Sequence, residues 1–286
     1  MTGRGFRPPR RRGAIPTRIV LLAVLFLAGL GYGGACLWFV RHEPEFVFHP
    51  TRRASVAPAK AGLHGVAEIR LATADGEHLY GWWVPPQPGH GAIVLLPGSG
   101  AILSDDAPLF GDLAAHGFGV IGIDYRGNGA SSGHPSEAGL RSDARAAFDF
   151  AHAAVRQARI AVFGISLGTG IALGLAHDRP VAGVLLDSPY ASVLRLFELR
   201  GPPLPYRLLM ADPLNSQALI GTLHVPVMIL HGTDDLTVPI AEARRLYAAA
   251  HQPKTMIEVA GAGHAQVWFG GAREAALQAL AAWTAP

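Results

Sequence analysis

Six short apolar runs punctuate the chain from residue 92 onward: AIVLLP (92–97), VIGID (120–124), IAVFG (160–164), VLLD (184–187), VMILHG (227–232) and TMIEVAG (255–261). Each is short for a core helix and too continuously apolar for a strand with one wet face, so each reads as a strand buried on both sides. Helix-like segments separate them. One, SEAGLRSDARAAFDFAHAAV, has Ser136 placed as an N-cap and Glu137 in its first turn. This alternation predicts an α/β fold, a mainly parallel sheet with helices on both faces. Upstream, VAEIRLAT and HLYGWWV flank an Asp-Gly pair and predict an antiparallel hairpin, with adjacent Trp82 and Trp83 facing opposite sides of the sheet. Ligands of such sheets bind beyond the carboxyl ends of the strands, so the chemistry is expected in the loops there.

Residues 19–40, IVLLAVLFLAGLGYGGACLWFV, carry no charge. About 22 residues at ~1.5 Å each suffice to cross the hydrocarbon core of a bilayer, so this run predicts one transmembrane helix. Arg4, Arg7, Arg10, Arg11, Arg12 and Arg18 precede it, whereas Arg41 follows among Glu43 and Glu45. That asymmetry puts the N-terminus in the cytoplasm and the rest of the chain across the membrane. A cleaved signal peptide is the competing reading, but the run is long for one and lacks a clean A-x-A site. The expected organisation is an Arg-rich tail (1–18), the membrane helix (19–40), a juxtamembrane linker (41–62) rich in Arg, Ala and Pro, and a folded domain (63–286).

Charge narrows the partners. Residues 1–53 hold nine arginines and two glutamates, while the remainder has 15 basic against 19 acidic side chains. The folded part therefore lacks the basic surface that nucleic acid requires. Cys36 is the single cysteine, which excludes an internal disulfide framework and a cysteine-based zinc site. GFGVIG (117–122) matches the glycine spacing of dinucleotide-binding loops but leads into a strand instead of following one, and neither a phosphate-binding G-x-x-x-x-G-K-[ST] nor an H-E-x-x-H occurs. No cofactor or metal is called for.

The stretch VFGISLGTG puts Ser166 between Gly164 and Gly168, at the junction of a predicted strand and a predicted helix. Glycines on both sides relieve crowding where strand and helix nearly touch. The serine backbone is then free to take a strained conformation that exposes its hydroxyl, a nucleophile elbow. The N–H of Leu167 and the positive end of the helix would face charge developing on an attacked carbonyl.

A serine hydroxyl needs a base, and the base needs an orienting group. When the order is Ser, acid, His, the acid follows a late strand and the histidine a later one. Asp235, in VMILHGTDDLTVP, and His264, in TMIEVAGAGH, meet both demands. Neighbouring Asp234 reads as a turn former, and Asp187, at the end of VLLD, is the alternative acid. Among the thirteen histidines, His231 precedes the acid and His251 lies in a turn between elements, whereas His264 follows the final strand.

DYRGNGASSGHPSEAGL (124–140), FGISLGTG, DSPYAS (187–192), HGTDDLTVP and GAGH together resemble the α/β-hydrolase superfamily, in its Bem46-like or ABHD13/ABHD17-like branch, over roughly residues 46–283. The resemblance implies a serine hydrolase of acyl esters or thioesters with Ser166, Asp235 and His264 as its triad. It also implies a lid at about 191–221. LLPGSGA departs from the family pattern, since Pro97 stands where a histidine is usual. The oxyanion donor expected there is the backbone N–H of Ser99, which survives any side-chain substitution, so Ser99 and Leu167 are the expected oxyanion hole. A lipid or small acyl molecule is the expected substrate, since Leu194, Leu196, Phe197, Leu199, Leu204, Leu208, Leu209 and Met210 make the lid apolar. A peptidase or a catalytically silent membrane-tethered scaffold is the alternative; the sequence does not fix the oligomeric state.

Overall fold

The computed structural model describes residues 16–155 and 159–285; Arg4, Arg7, Arg10, Arg11 and Arg12 of the expected tail lie outside them. The chain divides into two units at Arg41/His42. The first contains most of helix α1 (Thr17–Phe48), which is long and apolar enough to cross a membrane. Large apolar side chains such as Leu22, Phe26 and Leu27 are exposed along it.

The second unit is built on eight strands: β1 (Ala67–Ala72), β2 (His78–Val84), β3 (Ala92–Leu96), β4 (Gly119–Ile123), β5 (Ile160–Ile165), β6 (Val184–Asp187), β7 (Val227–Gly232) and β8 (Lys254–Val259). They form one sheet in the order β1-β2-β4-β3-β5-β6-β7-β8. β2 pairs antiparallel with β1 and β4, and every other pairing is parallel. The connecting helices are α2 (Ala107–Ala115), α3 (Glu137–Val155), α4 (Leu167–Asp178), α5 (Val193–Arg200), α6 (Tyr206–Leu209), α7 (Ser216–Ile220), α8 (Ile240–Ala249) and α9 (Arg273–Thr284).

The continuous apolar runs are explained by two cores, one on each face of the sheet. Along β3, Ala92, Val94 and Leu96 join the core that includes Phe148 of α3, Ile171 of α4 and Leu246 of α8. Ile93 and Leu95 join the opposite core, with Phe110 of α2 and Leu280 of α9. Side chains of successive strand residues point to opposite faces, so a strand covered on both sides must be apolar at every position. Trp82 and Trp83 divide the same way. Trp82 meets Phe110 edge-on at 5.6 Å on one face and Trp83 meets Phe150 at 5.7 Å on the other.

The loop after β4 is held by a buried ion pair. Arg126 donates from its backbone N–H (2.9 Å) and its Nε (2.8 Å) to the carboxylate of Asp143 on α3. Its remaining guanidinium nitrogens bridge Asp75.

One boundary differs from expectation. The residues expected as a linker, 41–62, are largely fixed into the second unit from residue 42. Val47 and Phe48 are buried. The Glu43 carboxylate accepts the N–H groups of Ala211 and Asp212, both at 2.9 Å. Thr51 donates its N–H to Asn128 Oδ1 at 2.8 Å, and Ser55 Oγ donates to the Asp124 carboxylate. Pro and Arg content made this stretch look like a spacer, but its two apolar side chains and short polar groups have specific seats on the body. The segment expected as a lid carries α5, α6 and α7 between β6 and β7.

Candidate active site

The sheet determines where Ser166 sits. β5 lies in the middle of the sheet, with Gly164 opposite Leu96 on β3 and Leu186 on β6. The chain then turns directly into α4 at Leu167. Ser166 occupies that turn at φ 49, ψ −115, a conformation that L residues rarely adopt. Its N–H donates to Asp187 O at 2.8 Å, and its carbonyl accepts from the N–H (2.9 Å) and hydroxyl (2.6 Å) of Thr169. The two glycines make the close approach possible. A Cβ on Gly164 would lie 2.7 Å from Gly168 C, and a Cβ on Gly168 would lie 2.6 Å from Pro97 O, both inside any real contact distance.

The loops after β7 and β8 converge on this turn. His264, after β8, receives the Ser166 hydroxyl on Nε2 at 2.8 Å and donates from Nδ1 to Asp235 Oδ2 at 2.7 Å. A carboxylate only accepts, so Nδ1 carries the proton and Nε2 is left as the acceptor. Asp235, after β7, is buried, and its Oδ1 accepts the N–H groups of Thr237 (2.7 Å) and Val238 (2.8 Å). Burial pushes its pKa up, but the hydrogen bonds from His264, Val238 and Thr237 outweigh it and hold the carboxyl below its ordinary value.

The other candidates are placed elsewhere. Asp234 is exposed and accepts from the hydroxyl of its neighbour Thr233 at 3.0 Å. Asp187 accepts the Ser188 hydroxyl at 2.8 Å and does not bond the imidazole. His251 faces Gly221 O. Ser99 lies in the turn after Gly98, where a Cβ on Gly98 would stand 3.5 Å from Ser166 Cβ. The next residue, Gly100, donates its N–H to Phe48 O at 3.0 Å, so the segment upstream of the hairpin tethers this loop. Leu167 is the first residue of α4, where the amides at the start of a helix lack intrahelical partners.

Two supporting residues carry no signal of their own in the sequence. Ser188, at φ 55, accepts the N–H of Ala265 at 3.0 Å, which fixes the backbone beside His264. His231 is buried behind the acid; its Nε2 faces Val238 O at 2.9 Å and lies 3.4 Å from Asp235 Oδ2. Burial lowers its pKa, favouring the neutral ring. DSPYAS and VMILHG contain both residues, yet only the fold shows what each one touches.

A family model for the α/β-hydrolase fold matches residues 91–216. An uncharacterized protein of Mycobacterium tuberculosis, Rv2307c, is 35% identical over 247 residues, covering 85% of this chain and 88% of that one. The chain belongs to the α/β-hydrolase superfamily. Lysophosphatidylserine lipase ABHD12 of Danio rerio is 30% identical over 190 residues, covering 59% of this chain and 50% of that one. Among solved structures, the Pyrococcus furiosus esterase Pf2001 shares the fold with a TM-score of 0.68 at 19% identity, covering 81% of this chain and 95% of that one.

Asp187 gives the site a measurable pH signature. Burial, followed by the negative charges of Asp106 and Asp235, pushes its carboxyl up to about 7, against the opposing pull of Ser188 and His264. The folded state therefore holds the proton more tightly than the unfolded state. Its contribution is fully present below pH ~4 and is lost as pH rises towards about 7. In urea titrations, Asp187→Asn should gain stability relative to wild type as pH is raised from 4.5 to 8. A difference between the two proteins that stays flat with pH would refute this.

Proposed function

We propose that the chain is a membrane-anchored serine hydrolase that cleaves carboxylic esters or thioesters of acyl or lipid-like substrates. The observation that carries this reading is the unbroken hydrogen-bonded series from the Ser166 hydroxyl through His264 to the buried carboxylate of Asp235. Ser166 Oγ attacks the acyl carbonyl while His264 Nε2 takes its proton, and Asp235 stabilises the imidazolium that forms. The N–H groups of Ser99 and Leu167 hold the oxyanion. Collapse of the tetrahedral intermediate expels the alcohol or thiol, protonated by His264, and leaves an acyl-Ser166. Water activated by the same imidazole then releases the acid.

A lipid-like substrate is supported by the apolar side chains left exposed in the second unit. Leu199 is 51% and Leu208 85% exposed in the 191–221 segment, Leu236 next to the acid is 86%, and Phe269, five residues after His264, is 63%. The Danio rerio relative, named a lysophosphatidylserine lipase, points the same way. Helix α1 would anchor the protein, with the arginines before residue 19 keeping the N-terminus in the cytoplasm and the hydrolase unit on the other side.

Labelling with a fluorophosphonate probe, combined with turnover of p-nitrophenyl esters of graded chain length, acyl thioesters and peptide amides, tests the chemistry. Ser166→Ala should abolish labelling and lower kcat by about 10⁴ or more, and Asp235→Asn should cost a similar factor while Asp234→Asn does not. Ester hydrolysis undiminished in Ser166→Ala would end the reading. Preference for peptide amides would favour a peptidase, and a correctly folded protein without turnover or labelling would favour a silent scaffold.

Topology is tested separately with an alkaline phosphatase fused to the C-terminus. The fusion should be active outside the cytoplasm, with intact protein in the carbonate-washed membrane pellet. Reporter activity confined to the cytoplasm would overturn the orientation, and a processed soluble form would indicate a signal peptide.

A further inference from the structure

Beside the Ser166 turn lies a small cavity of about 140 Å³, bounded by Ile165 on β5 and Ala265 next to His264. Asp105, Asp106, Asp187, Trp268 and Phe269 also line it. The cavity is apolar apart from acids, and its acids are unusual. Asp187 is only 2% exposed and has one hydrogen bond, from Ser188 to Oδ1. Asp106 stands at the N-cap position of α2, yet its side chain makes no capping bond, and its Oδ2 is cut off from solvent without any partner.

A buried carboxyl is ordinarily paired with a cation or fully hydrogen-bonded, because an unpaired one costs several kcal/mol. Among the described residues no Arg, Lys or His lies within ion-pair distance of Asp106 or Asp187. The neighbouring Asp105 is already neutralised by Arg53. Both lone carboxyls are pushed up to about 7, Asp106 by burial and the charge of Asp105, and Asp187 by burial and the charges of Asp106 and Asp235. The pair is thus an acidic site without a matching cation, in a cavity also lined by Ile165 and Ala265, the chain neighbours of the nucleophile and the base.

We propose that this cavity is a subsite for an ammonium group carried by the substrate, held between Asp106 and Asp187 and against Trp268 and Phe269. The assignment gives substrate class to the hydrolase reading and rests on it. An ammonium supplies the missing opposite charge and the N–H donors that both carboxylates lack. Aromatic walls favour the same ligand, since a cation is attracted to an aromatic face. A divalent metal fits less well: calcium and magnesium take six or more oxygen ligands, and no cluster of three or more metal-binding side chains occurs among the described residues. The volume equals that of about four or five liquid waters, enough for an ammonium head and a few carbons.

The test separates binding from turnover by using Ser166→Ala, as the full chain in detergent micelles. Saturation-transfer NMR titrations compare n-propylammonium chloride with n-propanol, which has nearly the same shape and no charge. Propylammonium should bind at least tenfold more tightly than propanol, and adding Asp106→Asn should bring the ratio close to one. Asp187→Asn should do the same and serves in its place if the first variant lacks a cooperative thermal transition. Equal binding of the two probes, or a ratio unmoved by both substitutions, overturns the subsite. Because the readout needs no turnover, an inactive wild type with intact ammonium preference counts against the role of Ser166 alone. An active esterase without that preference counts against the subsite alone.

Discussion

The backbone of Ser166 is the constraint on which the site depends. A strand at the centre of the sheet must reverse into a helix within one residue, and the serine accepts a positive φ to do it. Such a conformation costs about 1–3 kcal/mol and persists only where its surroundings enforce it. Here the Asp187 carbonyl holds the serine N–H, Thr169 holds the serine carbonyl twice, and two glycines let α4 start against the Leu96–Pro97 backbone. The hydroxyl is left clear of its own backbone and meets the imidazole.

Everything else at the site is supplied from the carboxyl ends of neighbouring parallel strands. β3 delivers the Gly98–Ser99 turn, β6 delivers Asp187 and Ser188, β7 delivers Asp235, and β8 is followed by His264. Each loop is short, so the rigid sheet determines the distances. The electrostatic result is a separation of two buried carboxyls with different fates. Asp235 is ionised by three hydrogen-bond donors, whereas Asp187, given only the hydroxyl of Ser188, is held near neutrality. The imidazole is paired with the residue after β7, and Asp187, bonded only by Ser188, is left for another role.

Much of this was legible in the sequence because it depends on local pattern. The strands are continuous apolar runs since both faces are covered, and the serine turn announces itself through glycines that no larger residue can replace. The superfamily named by the motifs is the one whose family model matches residues 91–216. The seating of residues 42–62 was not legible, because the partners of Glu43, Thr51 and Ser55 lie between 69 and 169 positions away in the chain. Nor could sequence distinguish Asp106 from an ordinary helix cap; only the packed structure shows that its carboxyl makes no capping bond. Ser188 and His231 were hidden for the same reason: hydroxyls and imidazoles in strand-end loops acquire roles from neighbours that periodicity does not reveal.

The central claim is that Ser166 becomes covalently acylated during turnover. Intact-protein mass spectrometry after acid quench of a rapid reaction with p-nitrophenyl butyrate observes that intermediate. The account expects a transient mass increase of one butyryl group, mapped by peptide fragmentation to Ser166 and accumulating with a burst of p-nitrophenol. Hydrolysis that proceeds with no acyl adduct at any quench time, or with the adduct on another residue, would contradict it.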